Sequence, residues 1–224
     1  MKKKRYFSIL GDSISSFSGY SVPEETAFYD AARKLEAEIY SPADTWWGQV
    51  IDRLDGELLV NNSFAGSTVI KDARYEIQSY GCSDERAFGL HKGETYPDVI
   101  LVFMGVNDWG RGVEVVPRDD TQASDSSVFS VAYGMMLRKL RNNYSNARLF
   151  CLGLPLSATE TAYRRGGYHI EQYCRAIRER AEREGCGFVD LYHSCTRYSS
   201  IDGAHPDREG MRTIADTVLG QIKL

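Results

Sequence analysis

Long apolar runs are missing from this sequence of 224 residues. No stretch approaches the ~18 apolar residues that a membrane-spanning helix requires. The apolar segment near the N-terminus, from Tyr6 to Leu10, is too short for the core of a signal peptide and ends in Gly-Asp. We therefore expect a soluble, cytoplasmic protein without a membrane span, unless an export signal has been removed from the chain.

Paired cysteines and an excess of basic charge are also missing. The five cysteines are odd in number and none belongs to a C-x-x-C pair, so the pattern indicates neither a zinc ribbon nor a redox motif and favours reduced thiols. The 27 basic and 31 acidic residues give a net charge of -4, and the only basic run lies at Lys2 to Arg5. Because a nucleic-acid-binding surface needs a clustered basic face, we expect no nucleic-acid partner.

Several catalytic signatures are absent as well. The sequence contains no G-x-S-x-G elbow, which disfavours an ordinary α/β-hydrolase, and no Walker or dinucleotide-binding glycine pattern. The four histidines are scattered and form neither H-x-H nor H-E-x-x-H, which argues against a two-metal phosphoesterase. We therefore predict no metal site and no cofactor.

A short apolar run followed by turn residues and a helical pattern recurs five times. These runs are almost continuously apolar, as strands buried on both faces of a parallel sheet are; they are RYFSIL, ELLVNN, DVILVFMG, ARLFCLGL and GCGFVDLY. Apolar residues at helical spacing lie between them, at 47–54 behind a cap at Asp44, 129–140, 170–181 and 211–218. The alternation predicts one doubly wound, three-layer α/β/α domain over residues 1–224.

Two long irregular stretches, 18–43 and 110–127, interrupt this alternation. Loops of such length in a compact domain are often functional. Both directly follow strand ends that carry polar residues, so we expect them beside a functional site, with their roles left open.

Four clusters of small polar residues follow predicted strands or precede the last helix. They are GDS at 11–13, NNSFAG at 61–66, GVND at 105–108 and DGAH at 202–205. Each cluster alone has the composition of an ordinary turn. Together and in this order, across nearly the whole chain, they resemble the motifs of the SGNH, or GDSL-type, hydrolase family. Ile14 stands where the family's name motif has leucine, which is a change between similar apolar residues.

The resemblance implies a fold and a set of site residues. It implies a flavodoxin-like parallel sheet of about five strands in the order 2-1-3-4-5. Ser13 is then the nucleophile, Asp202 and His205 complete the catalytic triad, and Gly66 and Asn107 join the Ser13 backbone N–H in the oxyanion hole. The implied partner is a small-molecule ester.

Physical chemistry is consistent with these assignments. A serine hydroxyl needs a base within hydrogen-bond reach, and a developing oxyanion needs donors that are fixed beforehand. With strand one between strands two and three, the first three clusters meet at the carboxyl edge of the sheet, where doubly wound folds bind ligands. The segment from Tyr192 to His205 extends up to ~3.3 Å per residue, which suffices to return across about 14 Å from strand five.

His193 is the rival to His205 as the base. Our interpretation places no acidic residue at D-x-x-H spacing before His193, which makes His193 a surface or packing residue. Asp190 is expected to end strand five and hold a turn. We expect Asp12 and Asp108, which flank the proposed site, to brace its loops.

The sequence thus predicts a serine esterase for a short-chain acyl ester, such as an acetylated carbohydrate, acting through an acyl-enzyme. An acyltransferase with the same triad stays open, because a sugar hydroxyl can replace water, and so does a lysophospholipase or thioesterase-type acylhydrolase. The complete triad disfavours a non-catalytic carbohydrate-binding module. Aromatic rings stack on sugars or line acyl pockets. Trp109, which directly follows Asp108, is the substrate-binding candidate. Tyr20, Trp46 and Trp47 lie in the first loop or helix, and Trp47 is equally a core candidate. The oligomeric state stays open.

Overall fold

Five parallel strands form the sheet at the centre of the computed structural model, which describes residues 4–21, 26–71, 79–117, 124–162, 167–195 and 197–224. The strands are β1 (Arg5–Gly11), β2 (Gly56–Ser63), β3 (Val99–Phe103), β4 (Arg148–Leu152) and β5 (Gly187–Val189). Their order is β2-β1-β3-β4-β5, and every neighbouring pair is parallel. The predicted strand order is therefore confirmed.

Helices cover both faces of this sheet. Those within the described ranges are α1 (Ala31–Glu36), α2 (Trp46–Arg53), α3 (Asp84–Phe88), α4 (Val106–Gly110), α5 (Phe129–Asn143), α6 (Ile170–Arg183), α7 (Leu191–Ser194) and α8 (Arg208–Gln221). One layer pairs α2 with α8, and the other packs α5 against α3 and α6. Burial on both faces explains why the strand runs are continuously apolar, and all five residues of β3 are buried. None of the helices within these ranges combines the length and apolar character needed to cross a lipid bilayer.

The predicted helix cap at Asp44 is wrong, and the predicted end of strand five at Asp190 is one residue too late. The cap of α2 is Thr45, whose Oγ1 accepts a hydrogen bond from the Gly48 N–H at 3.0 Å, whereas Asp44 lies in a preceding 3₁₀ turn. Strand five ends at Val189, because the Asp190 side chain accepts from the His193 N–H and begins α7. In both cases a side-chain oxygen satisfies the first free N–H groups of a helix.

Both long irregular stretches contain residues outside the described ranges, and in the first these are residues 22–25. The first contains α1, whose N-cap Asp30 accepts from the backbone N–H groups of Ala32 and Arg33. In the second stretch, residues 118–123 lie outside the described residues.

The sheet brings three polar clusters to one edge. Gly11, the last residue of β1, pairs with Ser63 of β2 on one side and with Phe103 of β3 on the other. The chain leaves all three strands at this carboxyl edge, so the residues that follow them lie side by side.

Candidate active site

Ser13 lies in a tight turn directly after β1. The carbonyl of Asp12 accepts hydrogen bonds from the backbone N–H groups of Ser15 and Ser16, and the Asp12 carboxylate accepts one from the Ile14 N–H at 3.1 Å. Burial raises the pKa of Asp12 to about 7, although the Ile14 N–H and the charge of Arg86 act in the opposite direction. Asp12 thus braces the turn, as predicted. Ser13 is only 5% exposed and is one of the residues that line a cavity.

A chain of hydrogen bonds joins Ser13, His205 and Asp202. The Oγ of Ser13 lies 2.9 Å from Nε2 of His205, and Nδ1 of His205 lies 2.7 Å from Oδ2 of Asp202. The other carboxylate oxygen of Asp202 accepts from the backbone N–H groups of Ala204 and His205. Because the Asp202 carboxylate accepts the proton of Nδ1, Nε2 is left as the acceptor for the Ser13 hydroxyl.

The protonation states of this chain favour a neutral base. Burial lowers the pKa of His205 below its ordinary value, and the Asp202 carboxylate only partly offsets that effect. Burial acting alone would raise the pKa of Asp202, but the hydrogen bonds from His205 and Ala204 together lower it. At neutral pH the pair is therefore a neutral imidazole beside a carboxylate, which is the state that can accept a proton from a serine.

Gly66 lies on the loop after β2, and Asn107 lies in α4, just after β3. Gly66 has a φ of 76°, in the left-handed region that glycine adopts without strain. The side-chain amide of Asn107 donates to the carbonyl of Ser67 at 2.9 Å. The structure therefore couples the Gly66 turn to the helix that carries Asn107.

A cavity of about 190 Å³ opens in front of the Ser13 side chain. Its lining residues are Ser13, Ile14, Val106, Asn107, Trp109, Gly110, Arg111, Glu160, Ala204 and His205. Gly66 is not among them, but its carbonyl accepts a hydrogen bond from Arg111, a wall residue, at 2.8 Å. The cavity combines the candidate nucleophile and base with an apolar wall and two charged side chains.

A family model for GDSL-like lipases and acylhydrolases matches residues 5–222 of the sequence. The chain belongs to the GDSL-like lipase/acylhydrolase family. It is therefore an esterase, as predicted. No curated protein matches the chain.

Solved structures share the fold of this GDSL-like esterase. A protein from Bacteroides uniformis assigned as a GDSL-like lipase is 26% identical, with a TM-score of 0.74 over 99% of this chain and 96% of its own. A second such protein, from Bacteroides ovatus, is 24% identical, with a TM-score of 0.72 over 97% of each chain. A carbohydrate esterase family 2 enzyme with a carbohydrate-binding domain, from Corynascus thermopiles (Myceliophthora fergusii), is 16% identical, with a TM-score of 0.63 over 97% of this chain and 65% of its own.

The aromatic side chains of this esterase contribute less to the cavity than predicted. Trp109 forms part of the wall but is only 1% exposed, and its indole N–H donates to the carbonyl of Tyr168. The indole N–H groups of Trp46 and Trp47 donate to Oγ and the carbonyl of Ser15, and both rings are buried in the core. These two tryptophans support the turn behind Ser13 and do not line the cavity.

Asp108 fastens the loop after β2 to the start of α4. Its buried carboxylate accepts from the backbone N–H groups of Val69 at 2.8 Å and Ile70 at 3.2 Å. Burial raises the pKa of Asp108 to about 7, and these hydrogen bonds act in the opposite direction. The expected role of Asp108 as a loop brace is thus confirmed.

Arg86 supports the same loops, and sequence reasoning missed it. The side chain is 2% exposed and sits among the ends of β1 and β2. Its guanidinium donates to the carbonyls of Gly11 and Asn62 at 2.7 and 3.0 Å, and to Oγ of Ser67 at 2.8 Å. Its local sequence, SDERAFG, has the composition of an exposed helix, so no local signal marks a buried arginine.

The interpretation of His193 is wrong in one respect. Asp190 stands three residues before His193, and both of its carboxylate oxygens lie 3.0 Å from Nδ1 of that histidine. This D-x-x-H pair has the local geometry of Asp202 and His205, but Nε2 of His193 faces Glu171 at 3.5 Å, with no Ser13 beside it. The Asp190 and Glu171 carboxylates beside His193 do not form a metal site. Among the described residues, no group of three or more His, Cys, Asp and Glu side chains is arranged to hold a metal ion.

Proposed function

We propose that this GDSL-like esterase cleaves its substrate through a covalent acyl-enzyme on Ser13. The observation that carries the proposal is the hydrogen-bond chain of 2.9 Å from Ser13 to His205 and 2.7 Å from His205 to Asp202. His205 takes the proton of the hydroxyl as Oγ attacks the ester carbonyl carbon, and returns it to the leaving alcohol. A water molecule then attacks the acyl carbon and gives a proton to His205, which passes it to Oγ of Ser13 as the acid product leaves.

Three donors are proposed to stabilise the oxyanion that forms at each attack. They are the backbone N–H groups of Ser13 and Gly66 and the side-chain amide of Asn107. An amide carries two N–H donors, and the contact with Ser67 accounts for one of them, so the other is left for the cavity that Asn107 lines. Donors held in place before the reaction need no reorganisation as the charge develops.

A fluorophosphonate probe tests the mechanism, and we expect it to label Ser13 alone. The adduct is to be located by intact mass and peptide mapping, with Ser13→Ala as the unlabelled control. Because His205 must be neutral to act as a base and burial lowers its pKa, the labelling rate should rise with pH around a midpoint below ~6.5. Labelling at another residue, or full esterase activity of Ser13→Ala, would refute the assignment.

The substrate is proposed to be a short-chain acyl ester, with an acetylated carbohydrate as the example. A cavity of about 150 Å³ is enough for a benzene-sized group, so the cavity of about 190 Å³ suits an acyl chain of a few carbons. The charged side chains in its wall, Arg111 and Glu160, suit the hydroxyl groups of a sugar. A carbohydrate esterase with the same fold is consistent with this choice.

A series of p-nitrophenyl esters tests the acyl group. We expect kcat/KM to be highest from acetyl to butyryl and to fall about tenfold or more at octanoyl, because overfilling a packed pocket costs roughly 1–3 kcal/mol. Acetylated sugars measured beside the series test the alcohol. A kcat/KM that increases steadily to long chains would contradict the short-chain proposal and favour a lysophospholipase-type activity.

A further inference from the structure

Residues 26–29, within the first long irregular stretch, contact all three loops of the candidate site. The contacts are Thr26 O with the Ala65 N–H (3.0 Å), the Phe28 N–H with Ser16 Oγ (2.8 Å) and the Tyr29 hydroxyl with Pro206 O (2.7 Å). Ala65 precedes Gly66, Ser16 follows Ser13 by three residues, and Pro206 follows His205. The segment therefore connects the nucleophile, oxyanion and base loops of the proposed mechanism.

Phe28 places its ring directly on the imidazole of His205. The two ring centroids lie 3.5 Å apart and the ring planes differ by 13°, so the rings are stacked face to face. The Tyr29 ring packs edge-on against the Phe28 ring, with the two ring centroids 5.1 Å apart and the ring planes at 85°. With its backbone also anchored to Ser16, the phenyl ring is held against one face of the base.

The stacked geometry restricts the rotation of the imidazole. Rotation of the His205 ring about its Cβ–Cγ bond would break the contact with Phe28 together with those to Ser13 and Asp202. An aromatic face also attracts a cation, and His205 becomes an imidazolium when it takes the serine proton. The charged groups that act on it are Asp202 on its own loop, which favours that cation, and Arg33 of α1, which disfavours it.

We propose that Phe28 is a positioning residue that holds the His205 imidazole towards Ser13 and favours the imidazolium formed during acylation. This inference rests on the proposed function of Ser13 and His205. It gives residues 26–29, within the stretch 18–43, a role in catalysis, because the ring of Phe28 lies on the base.

Substitutions at Phe28 distinguish the effect of its aromatic face from the effect of its size. We expect Phe28→Leu to lower kcat about 5- to 30-fold with KM changed less than twofold, since stacking and cation–π contacts together contribute in that range. Phe28→Tyr keeps the aromatic face and should retain at least half of the wild-type kcat. Phe88→Leu, at an exposed phenylalanine away from the cavity, is the matched control and should leave kcat unchanged.

Proton NMR of the His205 ring tests the stacked geometry directly, whereas the split between kcat and KM and the activity of Phe28→Tyr test its role in catalysis. The stacked phenyl ring should shift the His205 carbon-bound ring protons upfield in the wild type and in Phe28→Tyr, but not in Phe28→Leu. If Phe28→Leu does not fold, Phe28→Met takes its place. The absence of an upfield shift in the folded wild-type protein would itself overturn the stacking.

Two results distinguish failure of this inference from failure of the proposed function. If Ser13→Ala is inactive but Phe28→Leu keeps kcat within twofold of the wild type, only the role of Phe28 is refuted. An equal loss in Phe28→Leu and Phe28→Tyr also refutes it, because the aromatic face would then be irrelevant. If Ser13→Ala keeps full activity, the proposed mechanism itself fails, and the role of Phe28 fails with it.

Discussion

Replacing His205 with alanine should lower kcat by about 10⁶-fold, because removing the base of a serine triad costs nearly as much as removing the whole triad. Ester hydrolysis under saturating substrate, with active sites counted by titration of the folded protein, is the measurement. The physical reason is the contact of 2.9 Å between Nε2 of His205 and Oγ of Ser13. Without it the hydroxyl keeps its proton and is a poor nucleophile.

The chain supplies a matched control in its second D-x-x-H pair. His193→Ala removes a histidine with the same local aspartate contact but no serine neighbour, so kcat should stay within a few-fold of the wild type. Asp202→Asn should lower kcat about 10⁴-fold through the wrong imidazole tautomer, whereas Asp190→Asn should have little effect. The reverse ranking of the two pairs would show that His193, and not His205, is the base.

Asn107→Ala should lower kcat by about 10²–10³, which corresponds to roughly 2.7–4 kcal/mol of activation free energy for the loss of one oxyanion donor. The amide contact becomes stronger as negative charge develops, so kcat should fall with little change in KM. Steady-state kinetics beside thermal unfolding provide the measurement, since the same amide also donates to Ser67 and supports its turn.

Asn62→Ala is the control for this structural contribution. The Asn62 side chain is buried, donates to the carbonyls of Arg86 and Gly89, and does not line the cavity. We expect this variant to lower the melting temperature while its folded fraction keeps a near-normal kcat. A kcat loss below fivefold in well-folded Asn107→Ala would remove that residue from the oxyanion hole.

Most of the fold could be predicted because its signals are local. The run that forms β3 is apolar at every position, since helices cover both faces of the sheet, and it is buried throughout. Ends of elements were harder to predict. The run around β5 continues to Tyr192 in apolar character, but the Asp190 carboxylate caps a new helix and ends the strand at Val189.

Two residues of the candidate site had no signal in the sequence. Arg86 belongs to a short polar helix, yet its guanidinium is buried where it binds the carbonyl of Gly11 and Oγ of Ser67. Phe28 lies in an irregular stretch, and only the folding of that stretch across three loops brings its ring onto His205. Contacts of this kind join segments that are distant in sequence, so no local pattern encodes them.

The sequence by itself determined the family resemblance, the alternation of strands and helices, and the four polar clusters. It also contains two D-x-x-H pairs, and only the tertiary structure decided which of them faces the serine. In both pairs the spacing of three residues produces a local contact between the aspartate and Nδ1 of the histidine. The partner of the other ring nitrogen depends on packing: His205 meets Ser13 across 192 residues of sequence, whereas His193 faces Glu171.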